Sequence, residues 1–158
     1  MRIGFGYDVH QLVENVPFTL GGIDIPHHKG AIGHSDADTL IHAICDALLG
    51  AANLGDIGLH FPDSDSNLKG IDSKILLKKT VDMIAQKGYH IVNIDTTISL
   101  QQPKIRPYIP QMQEILAQVM NISADQISIK ATTTEKLGFT GREEGVAAYA
   151  VVLLEKRQ

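Results

Sequence analysis

Cysteine occurs once in the 158 residues, as Cys45. A single thiol excludes an internal disulfide and any paired-cysteine metal site. Cys45 lies in an apolar stretch and is expected as a small buried residue. Tryptophan is absent and aromatic residues make up only 5%, so Ile, Leu, Val and Ala must build the core. The longest apolar run, residues 145–154, is well short of the roughly 20 residues that span a bilayer. Asp8 and His10 stand where a secretory signal would carry its apolar segment. A cytoplasmic protein is expected, or one working in a plastid stroma or plastid-like organelle if a transit peptide was removed. Positive charge is also scarce. Fourteen basic residues against eighteen acidic leave a net charge of −4. Neither nucleic acid nor an anionic membrane is expected as a partner, and bound phosphate must be met by metal, backbone amides or a few placed cations. The glycine-rich dinucleotide fingerprint and the Walker-type lysine loop are both missing.

What is present reads as one domain, residues 1–158, without repeat or linker. A chain of this length buries roughly two-thirds of its unfolded surface and needs no staples. Residues 2–13 start extended, with Ile3, Phe5 and Tyr7 alternating with glycines. Residues 18–25 read as a short hairpin turning at Gly21-Gly22, and residues 30–36 as a loop. A helix is expected over residues 37–52, with Ile41, Ile44 and Leu48 on one face. A second spans residues 73–87, capped by Asp72 and stopped by Gly88. A third spans residues 109–120. In residues 91–100, Val92, Ile94, Ile98 and Leu100 alternate with Asn93, Asp95, Thr97 and Ser99, a half-buried strand. Residues 127–132 and 145–155 read as further strands. The pattern gives an α+β fold, a mixed four-stranded sheet with helices on one face. The polar outer face of that sheet is covered either by water or by another subunit.

Seven histidines raise the question of metal. Asp8 and His10 are two apart on a strand and point to one side. Asp38, His42 and Asp46 lie within roughly 80° of one another on a helix. Asp8, His10 and His42 together make a three-ligand set of the N, N, O type, which suits zinc with an open fourth position. Asp38 or Asp46 could orient His42 through its other ring nitrogen. A solvated helix face explains the same spacing without metal. His34 and Ser35, just before that helix, can donate to phosphate oxygens, or Ser35 and Asp36 can simply cap it. Gly55-Asp56-Ile57-Gly58 exposes backbone beside a carboxylate fit for substrate hydroxyls; a turn-rich loop explains it equally. In residues 130–136, hydroxyls, amides and Glu135 at a strand end suit a phosphate and its Mg²⁺.

The strings GYDVH, HSDAD, DALLGAANLGDIG, FPD and above all KATTTEKLGFTGREEG closely resemble the 2-C-methyl-D-erythritol 2,4-cyclodiphosphate synthase family, from Met1 to the last strand. The resemblance implies a phosphorus–oxygen lyase of the non-mevalonate isoprenoid route. Such an enzyme closes 4-diphosphocytidyl-2-C-methyl-D-erythritol 2-phosphate into a cyclic diphosphate and releases CMP. It implies Asp8, His10 and His42 as ligands to one zinc per subunit, and Glu135 as ligand to Mg²⁺ or Mn²⁺. His34 and Thr133 would steady the transition state, with Ser35 beside them. Asp56, Ile57 and Gly58 would hold the methylerythritol part. Phe61, Pro62, Asp63, Ser64 and Asp65 would flank it. Leu100, Gln101, Gln102, Pro103, Lys104, Ile105 and Arg106 would form the cytidine pocket. Ala131, Thr132, Thr133 and Thr134 would line the phosphates. The resemblance further implies a homotrimer with active sites between subunits, and an isoprenoid diphosphate near the threefold axis beside Phe139 and Arg142. The family often has glycine at positions 37 and 143, where this chain has Ala37 and Glu143, and a smaller residue than Leu100. Two other readings fit the residues: a zinc phosphohydrolase using a metal-bound water, and a non-catalytic trimer holding a nucleotide or isoprenoid diphosphate.

Overall fold

In the computed structural model, which describes residues 1–157, the alternating and helical patterns become twelve elements. They run β1 (Arg2–Glu14), β2 (Thr19–Leu20), β3 (Ile23–Asp24), β4 (Lys29–Ile32), α1 (Thr39–Ala51) and α2 (Ile57–His60), then α3 (Ser73–Gln86), β5 (Tyr89–Ser99), α4 (Ile109–Met120), β6 (Ile127–Thr132), α5 (Gly138–Gly141) and β7 (Gly145–Lys156). The main sheet has the order β4-β1-β7-β5-β6, with β5 and β6 parallel and the other pairs antiparallel. The mixed α+β reading holds, but the sheet has five strands and not four. The added strand is β4, which pairs Gln11 with Ile32 and Glu14 with Lys29 where a loop was expected. Four residues containing a glycine carry no alternation to read. Gly30 is required there because a Cβ would lie 2.1 Å from the Pro17 carbonyl oxygen. β2 and β3 form the expected hairpin around Gly21 and Gly22, both at positive φ.

Two faces differ from the sequence reading. A register shift between Ile91 and Asn93 bulges β5, so Ile91 is buried and Val92 is only half-buried. Beyond the bulge, Ile94 and Ile98 point inward as expected. On β1 the glycines, and not the large residues, face the helices. Ile3 and Phe5 are 74% and 63% exposed, and Tyr7, Val9 and Val151 continue this open apolar strip over β1 and β7. The β5 and β6 part of the outer face, with Asn93, Asp95, Thr97, Ser128 and Lys130, is polar. The reason lies on the other side. A Cβ on Gly4 would sit 1.9 Å from the Ala47 carbonyl oxygen, and one on Gly6 1.9 Å from that of Ala43. Helix α1 therefore rests directly on the β1 main chain.

Asp38 caps α1, accepting from the Ile41 N–H at 3.0 Å. Eleven of the thirteen α1 residues are buried, because the helix lies between the sheet and α3. Cys45 is fully enclosed there, and burial pushes its thiol up to about 12. Asp72 caps α3 through the Lys74 N–H, and Gly88 ends it at φ +82°, as the sequence indicates. Ala37 and Glu143 hold φ of +57° and +58°, which explains why glycine suits these positions. No described helix is long and apolar enough to cross a membrane.

The β1–α1 contact is testable. Gly6→Ala must push the helix off the strand, costing about 3 kcal/mol and lowering the melting midpoint by roughly 6–12 °C. Gly50→Ala, with nothing within 4 Å of the added carbon, should be neutral or stabilising by about 0.5 kcal/mol. Thermal unfolding of both variants measures this; equal midpoints would mean that the helix position is not set by the glycines.

Candidate active site

Gly4, Gly6, Asp8 and His10 alternate along β1 and share the face on which α1 lies. The strand thus delivers a carboxylate and an imidazole to the helix at the level of His42. Asp8 Oδ2 is 3.0 Å from His10 Nε2 and 3.1 Å from His42 Nδ1, and the two ring nitrogens are 3.2 Å apart. One ligand atom from each residue lies within 4.8 Å of the others, an arrangement able to hold a metal ion. The sequence treats His42 as part of a solvated edge, but it is 9% exposed.

The outer shell of the cluster decides what its atoms can do. His10 Nδ1 is 2.9 Å from the Ile32 carbonyl oxygen. A carbonyl only accepts, so Nδ1 donates and the Nε2 lone pair of neutral His10 turns toward Asp8. The electrostatics follow. Burial by itself would raise the Asp8 carboxyl, but hydrogen bonds and charge from His10 and His42 hold it at about 2. Burial lowers His10, but the Asp8 carboxylate first, then the Ile32 carbonyl and the Asp38 charge, together outweigh it, so its pKa lies above the usual imidazole value.

Neither Asp38 nor Asp46 orients His42. Asp38 is fully buried and spends its oxygens on the cap and on the Gly21 and Gly22 N–H groups, at 2.9 and 2.7 Å. Asp46 accepts from the Ile57 N–H at 2.7 Å and so anchors α2. The groups at His42 Nε2 are the Ser73 hydroxyl, at 2.8 Å, and the Ser35 hydroxyl, at 3.1 Å. The sequence reading missed Ser73. It is 31 residues away on another helix, and no local spacing announces it.

A pocket of about 300 Å³ opens over the cluster. Asp8, His10, His34, Ser35 and His42 line it together with Ile57, Gly58, Phe61 and Asp63. His34 Nε2 donates to the Asp65 carbonyl oxygen at 3.1 Å, tying the 61–65 segment to the head of α1. Asp56 instead caps α2, accepting from the Leu59 N–H, and Asp65 caps the turn at residues 66–68. Pro62 and Ser64 lie in the same segment outside the pocket wall. A second pocket of about 200 Å³ lies elsewhere, lined by Leu100, Pro103, Lys104, Ile105, Arg106, Ala131, Thr132 and Thr133. The two pockets share no residue. His34 and Thr133 therefore face different cavities. Beside the second pocket, Gln101 accepts from the Lys136 N–H, and the Thr133 hydroxyl donates to Glu135 at 2.8 Å. Glu135 is exposed, at φ +53°. Thr134 closes the turn by donating to the Leu137 carbonyl. Gln102, between Gln101 and Pro103, is exposed. Phe139 packs against Gly145, and Arg142 is paired with Glu144 at 2.8 Å.

The fold and sequence have close relatives. A protein of Bacteroides fragilis named 2-C-methyl-D-erythritol 2,4-cyclodiphosphate synthase is 66% identical over 156 residues, 99% of this chain and 98% of its own. The solved structure of the bifunctional IspDF of Campylobacter jejuni matches with a TM-score of 0.95 and 42% identity, covering 98% of this chain and 42% of that longer one. A Plasmodium falciparum IspF in complex with CDP matches with a TM-score of 0.87 and 36% identity over 99% of this chain and 97% of that one. The model of the YgbB family matches residues 1–155. On a match of this extent, the chain belongs to the YgbB family, that of the 2-C-methyl-D-erythritol 2,4-cyclodiphosphate synthases.

Proposed function

We propose that the chain converts 4-diphosphocytidyl-2-C-methyl-D-erythritol 2-phosphate into the cyclic 2,4-diphosphate with release of CMP. The observation that carries this is the Asp8, His10 and His42 cluster, set at the floor of a pocket in a chain 66% identical to a named synthase. A 2-phosphate oxygen attacks the β-phosphorus. A new P–O bond forms there, and the bond from that phosphorus to the CMP oxygen breaks. The nucleophile is already an anion, so no serine, cysteine or strong base is needed. Alignment then supplies much of the rate, on the order of 7–11 kcal/mol for well-oriented internal reactions.

The donor set fits a cation. Asp8 Oδ2 and His10 Nε2 turn lone pairs toward each other at 3.0 Å, a contact that requires a proton or a metal between them. Asp8, His10 and His42 would hold zinc, and Glu135 would hold Mg²⁺ or Mn²⁺. When bound, these ions supply the positive charge that neutralises phosphoryl oxygens in the transition state. The chain supplies the rest. His34 and Ser35 donate to phosphate oxygens at the first pocket, and Gly58 and Asp56 present backbone and carboxylate to the methylerythritol hydroxyls. The segment 61–65 closes their flank. Leu100 to Arg106 receive the cytidine, with Thr132 and Thr133 at its phosphates. The cytidine diphosphate bound by the Plasmodium relative supports this ligand class.

Separate pockets support a site completed by another copy. The open apolar strip on β1 and β7 supports a homotrimer that covers it, and Phe139 and Arg142 would then lie near its axis, where an isoprenoid diphosphate could sit. No metal ligand of one half contributes to the wall of the other.

Three measurements test these statements. Phosphorus NMR of the purified chain with the cytidylyl substrate should show the cyclic diphosphate and CMP. An open phosphate product would support a phosphohydrolase, and unchanged substrate a binding protein. Chains carrying His42→Ala or Glu135→Ala should each be inactive, and co-refolding them should restore part of the activity. Mixed trimers without activity would place each site within one chain. Finally, because the His10 pKa is raised in the metal-free chain, a proton competes with zinc above the ordinary imidazole range. Zinc affinity should fall about tenfold per pH unit as pH drops through that raised value. Chelator competition across pH measures this; a flat profile would remove His10 from the ligand set.

A further inference from the structure

Ser73 is fully buried, at the first turn of α3, and makes three polar contacts. Its N–H donates to Asp36 Oδ2 at 2.9 Å, and its hydroxyl donates to Asp36 Oδ1. Its oxygen lies 2.8 Å from His42 Nε2. We propose that Asp36 and Ser73 are positioning residues that fix the tautomer of His42, holding the proton on Nε2 so that Nδ1 offers its lone pair to the metal. The inference rests on the metal reading above and adds to it the device that sets the ligand.

The argument is one of donors and acceptors. Every group around Asp36 is a donor: the Ser73 N–H, the Ser73 hydroxyl and, at 3.2 Å, the Asp38 N–H. An ionised carboxylate only accepts, so the single hydroxyl proton of Ser73 points at Asp36. The Ser73 oxygen then presents lone pairs to His42. A bare Nε2 would set lone pair against lone pair at 2.8 Å, whereas an Nε2–H makes a hydrogen bond. Ser35, 3.1 Å from the same nitrogen, fits either form, because its hydroxyl accepts from the Ala37 N–H at 3.3 Å and keeps both a proton and a further lone pair; the Ser73 contact decides. A neutral imidazole carries one proton, so Nδ1 is left to face a cation, 3.1 Å from Asp8 and 3.2 Å from His10 Nε2; without one, the Asp8 carboxylate is met by a second proton held among the imidazoles. The chain carboxylate–hydroxyl–imidazole thus does for His42 what the Ile32 carbonyl does for His10. It also joins α3 to α1 at the metal cluster.

Two variants separate this from a packing role. Ser73→Ala removes the acceptor at Nε2. Asp36→Asn keeps the shape but turns one acceptor into a donor. Its NH2 group is best placed opposite the Ser73 oxygen, because this keeps the 2.9 Å bond from the Ser73 N–H and gives up only the longer, 3.2 Å one from the Asp38 N–H. The Ser73 proton is then turned onto Nε2 and the His42 proton onto Nδ1. Zinc affinity of the full-length purified protein, measured by competition with a chromophoric chelator, should fall roughly 10- to 100-fold in both variants. Turnover should recover at saturating zinc in Ser73→Ala. Two-bond proton–nitrogen NMR of histidine-labelled protein at alkaline pH should show the Nε2–H form in the parent chain and a changed form in Asp36→Asn. Unchanged affinity in variants that melt lower would assign a structural role only and overturn the proposal. So would an Nδ1–H tautomer in the metal-free parent chain. If the parent chain takes up no zinc but still shows the Nε2–H tautomer, lost in Asp36→Asn, the metal reading fails and the positioning role stands.

Discussion

Two imidazoles and a carboxylate brought to about 3 Å from one another need something positive among them. In the metal-free chain that is a proton, which is why Asp8 is held at about 2 and His10 is raised. In the proposed enzyme it is a cation. The same crowding that makes the cluster a poor resting place for bare lone pairs makes it a good one for a divalent ion, provided that each ring turns the correct nitrogen inward. Much of the surrounding structure serves that condition. The Ile32 carbonyl on β4 sets one ring, and the Ser73 hydroxyl at the head of α3 faces the other. The short strand β4 and the first turn of α3 thus each bring one group to a ligand.

Around this centre the carboxylates divide the work by their partners and not by their closeness in sequence. Asp38 stands one turn before His42, yet it is turned away to hold the Gly21–Gly22 turn and to cap α1. Asp46, one turn beyond His42, secures the first N–H of α2, the short helix that carries Gly58. Burial raises both carboxyl groups above the usual range, although backbone N–H donors oppose it. Positive charge is left to the imidazoles and to whatever ion they bind.

The sequence made legible what depends on periodicity or on local chemistry. The spacing of Asp8 and His10 on a strand placed them on one face. Asp72 and Gly88 read correctly because caps and stops act within a few residues, and the 109–120 helix because Ile109, Met112, Leu116 and Val119 recur on one face. Three features were hidden. β4 is too short to alternate. The bulge at Val92 keeps the composition of an alternating strand while reversing one residue. The partner of His42 Nε2 comes from another helix, so its choice over Asp38 or Asp46 is a tertiary fact. The β1 glycines were visible, but not that a helix would lie on them and turn Ile3 and Phe5 outward.

That seat has a consequence for how such a chain can drift. Where a helix packs on a strand through side chains, each methyl gained or lost between them shifts the spacing by a few tenths of an ångström. Between β1 and the middle of α1 there is no side chain to exchange at Gly4 and Gly6; peptide groups meet, with the Ala43 and Ala47 carbonyls as the contact points. The distance from the Asp8 and His10 strand to the His42 helix is therefore set by atomic radii and not by the choice of core residues. The aliphatic interior can be rewritten at many positions without retuning the ligands. The flexibility surrendered in return is concentrated at two positions, where no side chain at all is admissible.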